Sequence, residues 1–335
     1  MRQLAVVRES FRIDGSFTIS RGSKTSSEVV TVTISADGVT GRGECVPYAR
    51  YGETMESVIS QVNSQQSLIA GNAEVSGPEL SEMRSKLQSL LPAGAARNAI
   101  DCALWDLAAK QSGKRVWQLA DIDTPTSAIT AYTLSLDTPE NMNAAAKKYS
   151  SRPLLKLKLA GDCDVERVAA VRDGAPDSRI IVDANEGWSV VDYDAMVPKL
   201  HDLGVSMIEQ PLPAADDAAL ESLDRPIIIC ADESCHDAST LAGLTGRYDM
   251  INIKLDKTGG LTEALALQQA ALEQGFEIMI GCMVATSLAM APATLLTYRA
   301  SVVDLDGPLL LAEDRDHALN YSDNSVAPPT EALWG

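Results

Sequence analysis

Hydrophobic and polar positions change rhythm twice along this chain. Up to about residue 45 they alternate singly, as antiparallel strands do when one face is covered: Leu4-Ala5-Val6-Val7, Phe17-Thr18-Ile19, then Val29 to Ile34. Ser20 to Ser27 reads as a small-residue loop between the second and third runs, Asp37-Gly38 as a hairpin turn, and Gly41 to Cys45 as a further strand. A loop from Pro47 to Glu53 comes next, and the period then lengthens to that of helices, from about Thr54, over Pro78 to Leu91 and over Ala95 to Lys110. The last of these sets Ile100, Ala103, Leu104 and Leu107 on one stripe, and Gly113 ends it. The first part is therefore expected to be an α+β domain, a small sheet followed by helices.

From about residue 125 short apolar runs alternate with amphipathic stretches. Strands are expected near 127–134, 154–159, 179–183, 205–209, 227–231, 249–254, 276–281 and 301–304. Helices fit gaps between them, such as Val165–Arg172, Tyr193–Leu203, Leu261–Gln274 and Ser287–Tyr298. Eight strands in regular alternation with about seven helices predict a closed parallel α/β barrel rather than an open sheet. The expected division is residues 1–120 as a first domain, 121–310 as the barrel, and 311–335 packing back on the first domain.

Composition narrows the classes of function. With 45% apolar and 22% charged residues in 335, the chain is expected to be globular with a large core. A net charge of −18 argues against nucleic acid and anionic membranes as partners, though not against a small anionic substrate held by a local cation. The N-terminal apolar run is too short for a secretory signal, and no uncharged apolar stretch reaches the roughly 18 residues of a membrane span. Six cysteines without a Cys-x-x-Cys pair read as reduced core residues, giving an expectation of a cytoplasmic protein. Three scattered histidines make a zinc site improbable, so metal ligands here would be carboxylates.

Chemistry gathers at the strand ends. Lys156 and Lys158 lie two apart in Leu154 to Ala160, so both ammonium groups leave one face of a buried strand. Each raises the cost of protonating the other, which would make Lys158 a base near neutral pH. Such a pair is more often two solvated lysines on an edge strand, but the later strand ends reverse those odds. Lys158, Asp183, Glu209, Asp232, Lys254 and Asp304 each end an apolar run, at gaps of 25, 26, 23, 22 and 50 residues. A single carboxylate after a strand is commonly a helix cap, but three on consecutive strands suit a hard divalent cation, Mg²⁺ being favoured. Lys158 on strand two and Lys254 on strand six face each other across a ring of eight, with Asp183, Glu209 and Asp232 between them. A substrate carboxylate on the metal would present its α-carbon to one lysine on each face. Two opposed bases imply racemisation or epimerisation through an enediolate; one base alone would suit elimination or cycloisomerisation.

These motifs, Lys156-x-Lys158, Asp183-Ala-Asn185, Glu209-Gln210-Pro211, Asp232-Glu233-Ser234 and Asn252-Ile253-Lys254 with Gly259-Gly260, resemble those of the enolase superfamily, in its muconate-cycloisomerase-like subgroup. The resemblance covers the whole barrel. It implies a modified TIM-type (β/α)7β barrel beneath an N-terminal α+β capping domain, Asp183, Glu209 and Asp232 as Mg²⁺ ligands, and Lys158 and Lys254 as the acid/base pair. Lys156 would steady the substrate carboxylate and tune Lys158, with Asn185, Glu233 and Asn252 surrounding the ligands.

Asp304-Leu305-Asp306-Gly307-Pro308 further resembles the Asp-x-Asp element that holds the free ammonium group of the substrate in dipeptide epimerases. Strand eight lies opposite strand four, so a substrate anchored at the metal would extend towards Asp304 and Asp306. The stretches Ser20 to Thr25 and Arg50 to Glu53 look like the capping lid of epimerases acting on Ala-Glu, with Arg21 the candidate for the glutamyl side-chain carboxylate. The implied activity is Mg²⁺-dependent epimerisation of dipeptides such as L-Ala-D/L-Glu in cell-wall peptide recycling. N-acylamino-acid racemisation, o-succinylbenzoate synthesis and muconate cycloisomerisation are the rival chemistries, and a non-catalytic barrel that merely binds is the rival class. Relatives often carry a glutamate near the end of strand seven; here the segment reads Cys282 to Ser287, and no role is transferred to it. Side-chain preference, direction and assembly into homo-oligomers are left open.

Overall fold

In the computed structural model, which describes residues 1–71, 76–322 and 324–335, the first rhythm becomes a three-stranded antiparallel sheet of β1 (Gln3–Ile19), β2 (Gly22–Ala36) and β3 (Val39–Cys45). The loop expected over Ser20 to Ser27 is instead almost all strand. β1 and β2 pair from Gln3↔Ser35 to Ile19↔Gly22, with a register shift between Arg12 and Phe17, and only Ser20 and Arg21 make the turn. Exposed Ser and Thr carry no apolar alternation, so the backbone ladder that orders them leaves no trace in the sequence. The helix Ala95–Ser112 is buried along nearly its whole circumference, because it lies between this sheet and the barrel. Gly41 and Gly43 let it approach: a Cβ at Gly43 would stand 2.1 Å from the Ala99 carbonyl oxygen, and one at Gly41 2.2 Å from that of Ala103.

The second rhythm becomes eight parallel strands in sequence order: Tyr132–Leu134, Leu154–Lys158, Arg179–Asp183, Val205–Glu209, Ile228–Ala231, Met250–Ile253, Glu277–Ile280 and Val302–Val303. The Ala131 amide donates to the Val303 carbonyl at 2.8 Å and joins the first strand to the last. The run expected at 127–134 divides at this point. Ala128–Ile129 pairs antiparallel with Ser325–Val326, while Tyr132–Leu134 enters the barrel, because Thr130 and Ala131 donate to different partners, Asn324 and Val303. Crossovers four-to-five and five-to-six shrink to a 3-10 turn, Ala218–Glu221, and one helical turn, Leu241–Leu244; the first is rich in proline (Pro211, Pro213, Pro226). The helix expected over Ser287–Tyr298 stops at Ala293 and continues as a 3-10 helix, Thr294–Arg299.

Residues after 310 touch both parts. Arg42 donates to the carbonyls of Ala332 and Leu333, Arg315 reaches Glu9 and Glu44, and Asp314 accepts from the Ser287 amide at the start of a barrel helix. Among the described residues no helix is long and apolar enough to cross a membrane.

Candidate active site

Every second residue of a barrel strand points inward, which stacks the interior in rings. The lowest ring is apolar and takes one residue from each strand or its immediate approach: Ala131, Leu154, Ile181, Met207, Cys230, Met250, Met279 and Val302. Two residues further along, the same parity brings in Thr133, Lys156, Asp183, Glu209, Asp232, Asn252, Gly281 and Asp304. Gly281 is the gap in this ring: a Cβ there would lie 2.5 Å from Asn252 Oδ1, so the Asn252 side chain fills the space on strand seven. The apolar ring closes the barrel from below, and the polar ring is buried at its mouth.

Asp183, Glu209 and Asp232 each present a carboxylate oxygen within 4.8 Å of the others, and all three are buried. Strand register sets them side by side, Asp183 opposite Glu209 and Lys158 opposite Asp183. One oxygen of each carboxylate is met by a lysine. Lys158 Nζ is 2.6 Å from Asp183 Oδ2, Lys254 Nζ is 2.6 Å from Asp232 Oδ2, and Lys156 Nζ is 2.6 Å from Glu209 Oε2, off the line of a hydrogen bond. The other oxygen accepts a fixed donor: the Asn185 amide for Asp183 at 2.9 Å, Asn252 Nδ2 for Glu209 at 2.7 Å, and Lys257 Nζ for Asp232 at 2.6 Å.

Charge at this mouth is decided by the contest between burial and opposite charge. Burial works against the Asp183 carboxylate, but Lys158, Lys156 and Lys254 outweigh it and bring its pKa down to about 2. For Glu209, burial and the neighbouring Asp183 win, and its pKa is raised. Burial likewise opposes the ammonium of Lys254, yet Asp232 and Glu209 hold its pKa well above the usual lysine value. Lys156 is raised in the same way by Asp304, Glu209 and Asp183. This corrects the expectation that Lys158 discourages the charge of Lys156: Lys156 sits closest to Glu209 and Asp304 while Lys158 sits closest to Asp183, and the Lys156 ammonium is favoured.

The residues fit a hard divalent cation. The donor set is oxygen throughout, the three carboxylates come from consecutive strands, and Glu209 Oε2, Asn185 Oδ1 and Asn252 Oδ1 are buried without a hydrogen-bond partner. Cationic charge is already drawn to each inward oxygen, there supplied by lysine.

The remaining candidates lie around this centre. Asp304 Oδ2 accepts from Lys156 Nζ at 2.7 Å, while its Oδ1 is buried and unpartnered. Asp306 Oδ2 accepts from the Thr133 amide at 2.6 Å, and burial together with Asp304 pushes its pKa up to about 7. Arg21, at the hairpin tip, reaches down to the barrel: Nη2 meets Glu233 Oε1 at 2.7 Å and Nη1 the Asn185 carbonyl at 2.9 Å. The second oxygen of Glu233, Oε2, is buried and unpartnered. Arg50 grips Glu186 through two contacts of 2.6 Å, so both capping arginines close on barrel loops.

Three participants carry little signal in the sequence. Lys257 is buried against Asp232; its signal is the three-residue spacing from Lys254 at a helix start. Gln210 ties strands four and five together, accepting from the amides of Asp232 and Ser234 while its Nε2 meets the Leu212 carbonyl, Ser234 and Tyr248. Glu186, the Arg50 partner, sits in a loop with φ of +64°, and nothing local in the sequence marks it.

Comparison with known proteins places this geometry. Residues 1–120 match the mandelate racemase / muconate lactonizing enzyme N-terminal domain, and residues 141–332 match the enolase C-terminal domain-like family. The chain is 48% identical over 324 residues, 96% of its length and 98% of the relative's, to an L-Ala-D/L-Glu epimerase of Escherichia coli K12. It is 47% identical over 307 residues, 92% of its length and 95% of the relative's, to an N-acetyl-D-glutamate racemase of a Pseudoalteromonas species. A crystal structure of an Agrobacterium tumefaciens enolase family member with homology to dipeptide epimerases, with bound sodium and L-Ala-L-Glu, superposes with a TM-score of 0.95 at 49% identity, covering all of both chains.

Proposed function

Because this chain belongs to the enolase superfamily, with the N- and C-terminal domains of its mandelate racemase and muconate lactonizing branch, we propose that it is a Mg²⁺-dependent epimerase of dipeptides, L-Ala-D/L-Glu foremost. One observation carries the reading. Two ammonium groups from strands four apart, Lys158 and Lys254, each contact a different member of one carboxylate triad. That arrangement leaves an α-carbon above the triad flanked by a proton acceptor on one side and a donor on the other.

Each residue then takes a role. Asp183, Glu209 and Asp232 would hold the cation, whose charge stabilises the negative charge that develops on the substrate carboxylate. Lys158 removes or returns the α-proton on one face and Lys254 on the other. Lys156, shared by Glu209, Asp183 and Asp304 at 2.6, 3.5 and 2.7 Å, steadies the substrate carboxylate. Asn185, Asn252 and Glu233 hold the ligands and the lid. Asp304, with its unpartnered Oδ1, and Asp306 take the free ammonium group; Arg21 exchanges Glu233 for the glutamyl side-chain carboxylate. In the same reading residues 1–120 with 311–335 form the capping domain over the barrel of residues 121–310, and the protein works in the cytoplasm on a small molecule, without nucleic acid or membrane.

A second reading is N-acetyl-glutamate racemisation, favoured by the relative of that activity and by Lys156, which neutralises one of the two aspartates of the ammonium subsite. The two substrates share the glutamyl α-carbon and its acylated nitrogen, so the same bases would serve both. Incubation with L-Ala-L-Glu, N-acetyl-L-glutamate and a wider dipeptide set in ²H₂O with Mg²⁺ tests the choice. Dipeptides are expected to gain α-deuterium and the opposite configuration; exchange confined to N-acetyl-glutamate overturns the dipeptide reading.

A further inference from the structure

We propose that Lys257 is a positioning residue of the cation site, fixing one oxygen of Asp232 so that the other faces the ion; this rests on the metal reading of the carboxylate triad. The three carboxylates share one plan, in which a fixed donor holds one oxygen and a lysine of the mouth meets the second. Asn185 and Asn252 supply neutral donors for Asp183 and Glu209. Asp232 alone has a charged one, Lys257.

The donor count separates Lys257 from Lys254. An ammonium group has three N–H donors. Those of Lys257 are all engaged, with Asp232 Oδ1 at 2.6 Å, the Asp232 carbonyl at 2.5 Å and the Asn252 carbonyl at 3.0 Å. Its side chain has no exposure to solvent. It therefore braces strand five against strand six and has no proton to spare for a reacting atom. Among the described residues Lys254 makes one hydrogen bond, to Asp232 Oδ2, with Glu209 Oε1 further off at 3.8 Å. One turn of the helix Leu255–Thr258 separates the two lysines, so they approach one carboxylate from two sides. Asp232 Oδ2 would hold the ion, so Lys254 would have to give up this oxygen while Lys257 on Oδ1 could stay in place. The helix Ala95–Ser112 holds this segment from outside, through Arg97 on the carbonyls of Thr258 and Gly259 and Asn98 on Asp256.

The test is metal binding by the whole chain without substrate, with Mn²⁺ followed by electron paramagnetic resonance. Lys257→Met should weaken Mn²⁺ binding by about 10–100-fold, the usual effect of removing a residue that orients a metal ligand. Lys254→Met should leave binding unchanged or tighter, because Lys254 competes for the same oxygen. In an Asp232→Asn background, Lys257→Met should cost less than about threefold more, since its effect runs through that carboxylate. Should Lys257→Met lose its near-ultraviolet circular dichroism, Lys257→Gln, which keeps two donors without the charge, carries the same test. Wild-type affinity in a folded Lys257 variant, or a full loss that persists beside Asp232→Asn, overturns the proposal. A wild-type chain that binds no Mn²⁺ overturns the metal reading, and this inference with it.

Discussion

Lys156 Nζ lies 2.7 Å from Asp304 Oδ2 at the mouth of the barrel, joining the strand that carries Lys158 to the strand that leads into Asp304 and Asp306. The contact leaves Asp304 Oδ1 as a buried acceptor without a partner, beside Asp306. A substrate ammonium group would satisfy it, and such charge-assisted hydrogen bonds contribute roughly 1.5–3 kcal/mol.

The ammonium subsite can be isolated chemically. N-Propionyl-L-glutamate is L-Ala-L-Glu without its amino group, unchanged at the α-carbon and both carboxylates. Its kcat/KM should fall at least about a hundredfold below that of the dipeptide, or roughly 2.7 kcal/mol of transition-state binding. Asp304→Asn and Asp306→Asn should slow the dipeptide and narrow that gap. Equal rates on the two compounds would show that no residue here reads the amino group.

Each base should own one face. Lys158→Ala and Lys254→Ala should both abolish epimerisation, yet each should still exchange the α-proton of one epimer with ²H₂O, a different epimer for each variant. Near-normal epimerisation by either variant would break the two-base assignment. Mass spectrometry of the recovered dipeptides reads both outcomes.

Metal dependence has a stability signature as well as a kinetic one. Carboxylates clustered within 4.8 Å repel one another unless a cation or lysine compensates. Mg²⁺ at a hundred times its dissociation constant should add about 2.7 kcal/mol to unfolding free energy, seen as a higher Tm. Chelator should abolish turnover and added Mg²⁺ restore it. Asp183→Asn should remove both the activity and the Mg²⁺-dependent rise in Tm while the fold persists.

Between cap and barrel, Asp256 gives a pH dependence that owes nothing to the metal. Its Oδ1 accepts from the Val46 amide and from Asn98 Nδ2, each at 3.0 Å, and burial raises its pKa to about 7. The folded chain thus holds a proton that the unfolded chain, with a carboxylate pKa near 4, has lost between about pH 4 and 7. Stability should fall as pH rises through that window, by up to about 1.4 kcal/mol per unit from this group. Asp256→Asn keeps an acceptor for both donors and should flatten the slope. Denaturant titrations at pH 5 and 7.5 compare the two; an unchanged slope would mean that Asp256 is not the group responsible.

Membership of the polar ring is written in the order of residues. Side chains alternate in direction along a strand, so Lys156 within its apolar run and Asp183, Glu209, Asp232 and Asp304 at the ends of theirs point into one barrel. The spacing of one strand and one crossover placed Lys158 and Lys254 four strands apart. The eight apolar runs and the long helix Ala95–Ser112 were legible for the same reason, since local periodicity records which face is covered.

What each polar atom meets is set by tertiary packing alone. Ser20 to Ser27 looks like loop because its run of small polar residues leaves no periodic signal, whereas cross-strand backbone hydrogen bonds order Gly22 to Ser27 as a ladder. Residues 127–134 divide because adjacent amides at Thr130 and Ala131 find partners 21 positions apart, at Asn324 and Val303. Lys257 becomes part of the site because one helical turn returns it to the carboxylate that Lys254 also holds. Arg21 closes on Glu233, 212 positions away. Hydrogen bonds between distant segments are chosen by geometry after folding, and a single chain of residue types carries no mark of them beforehand.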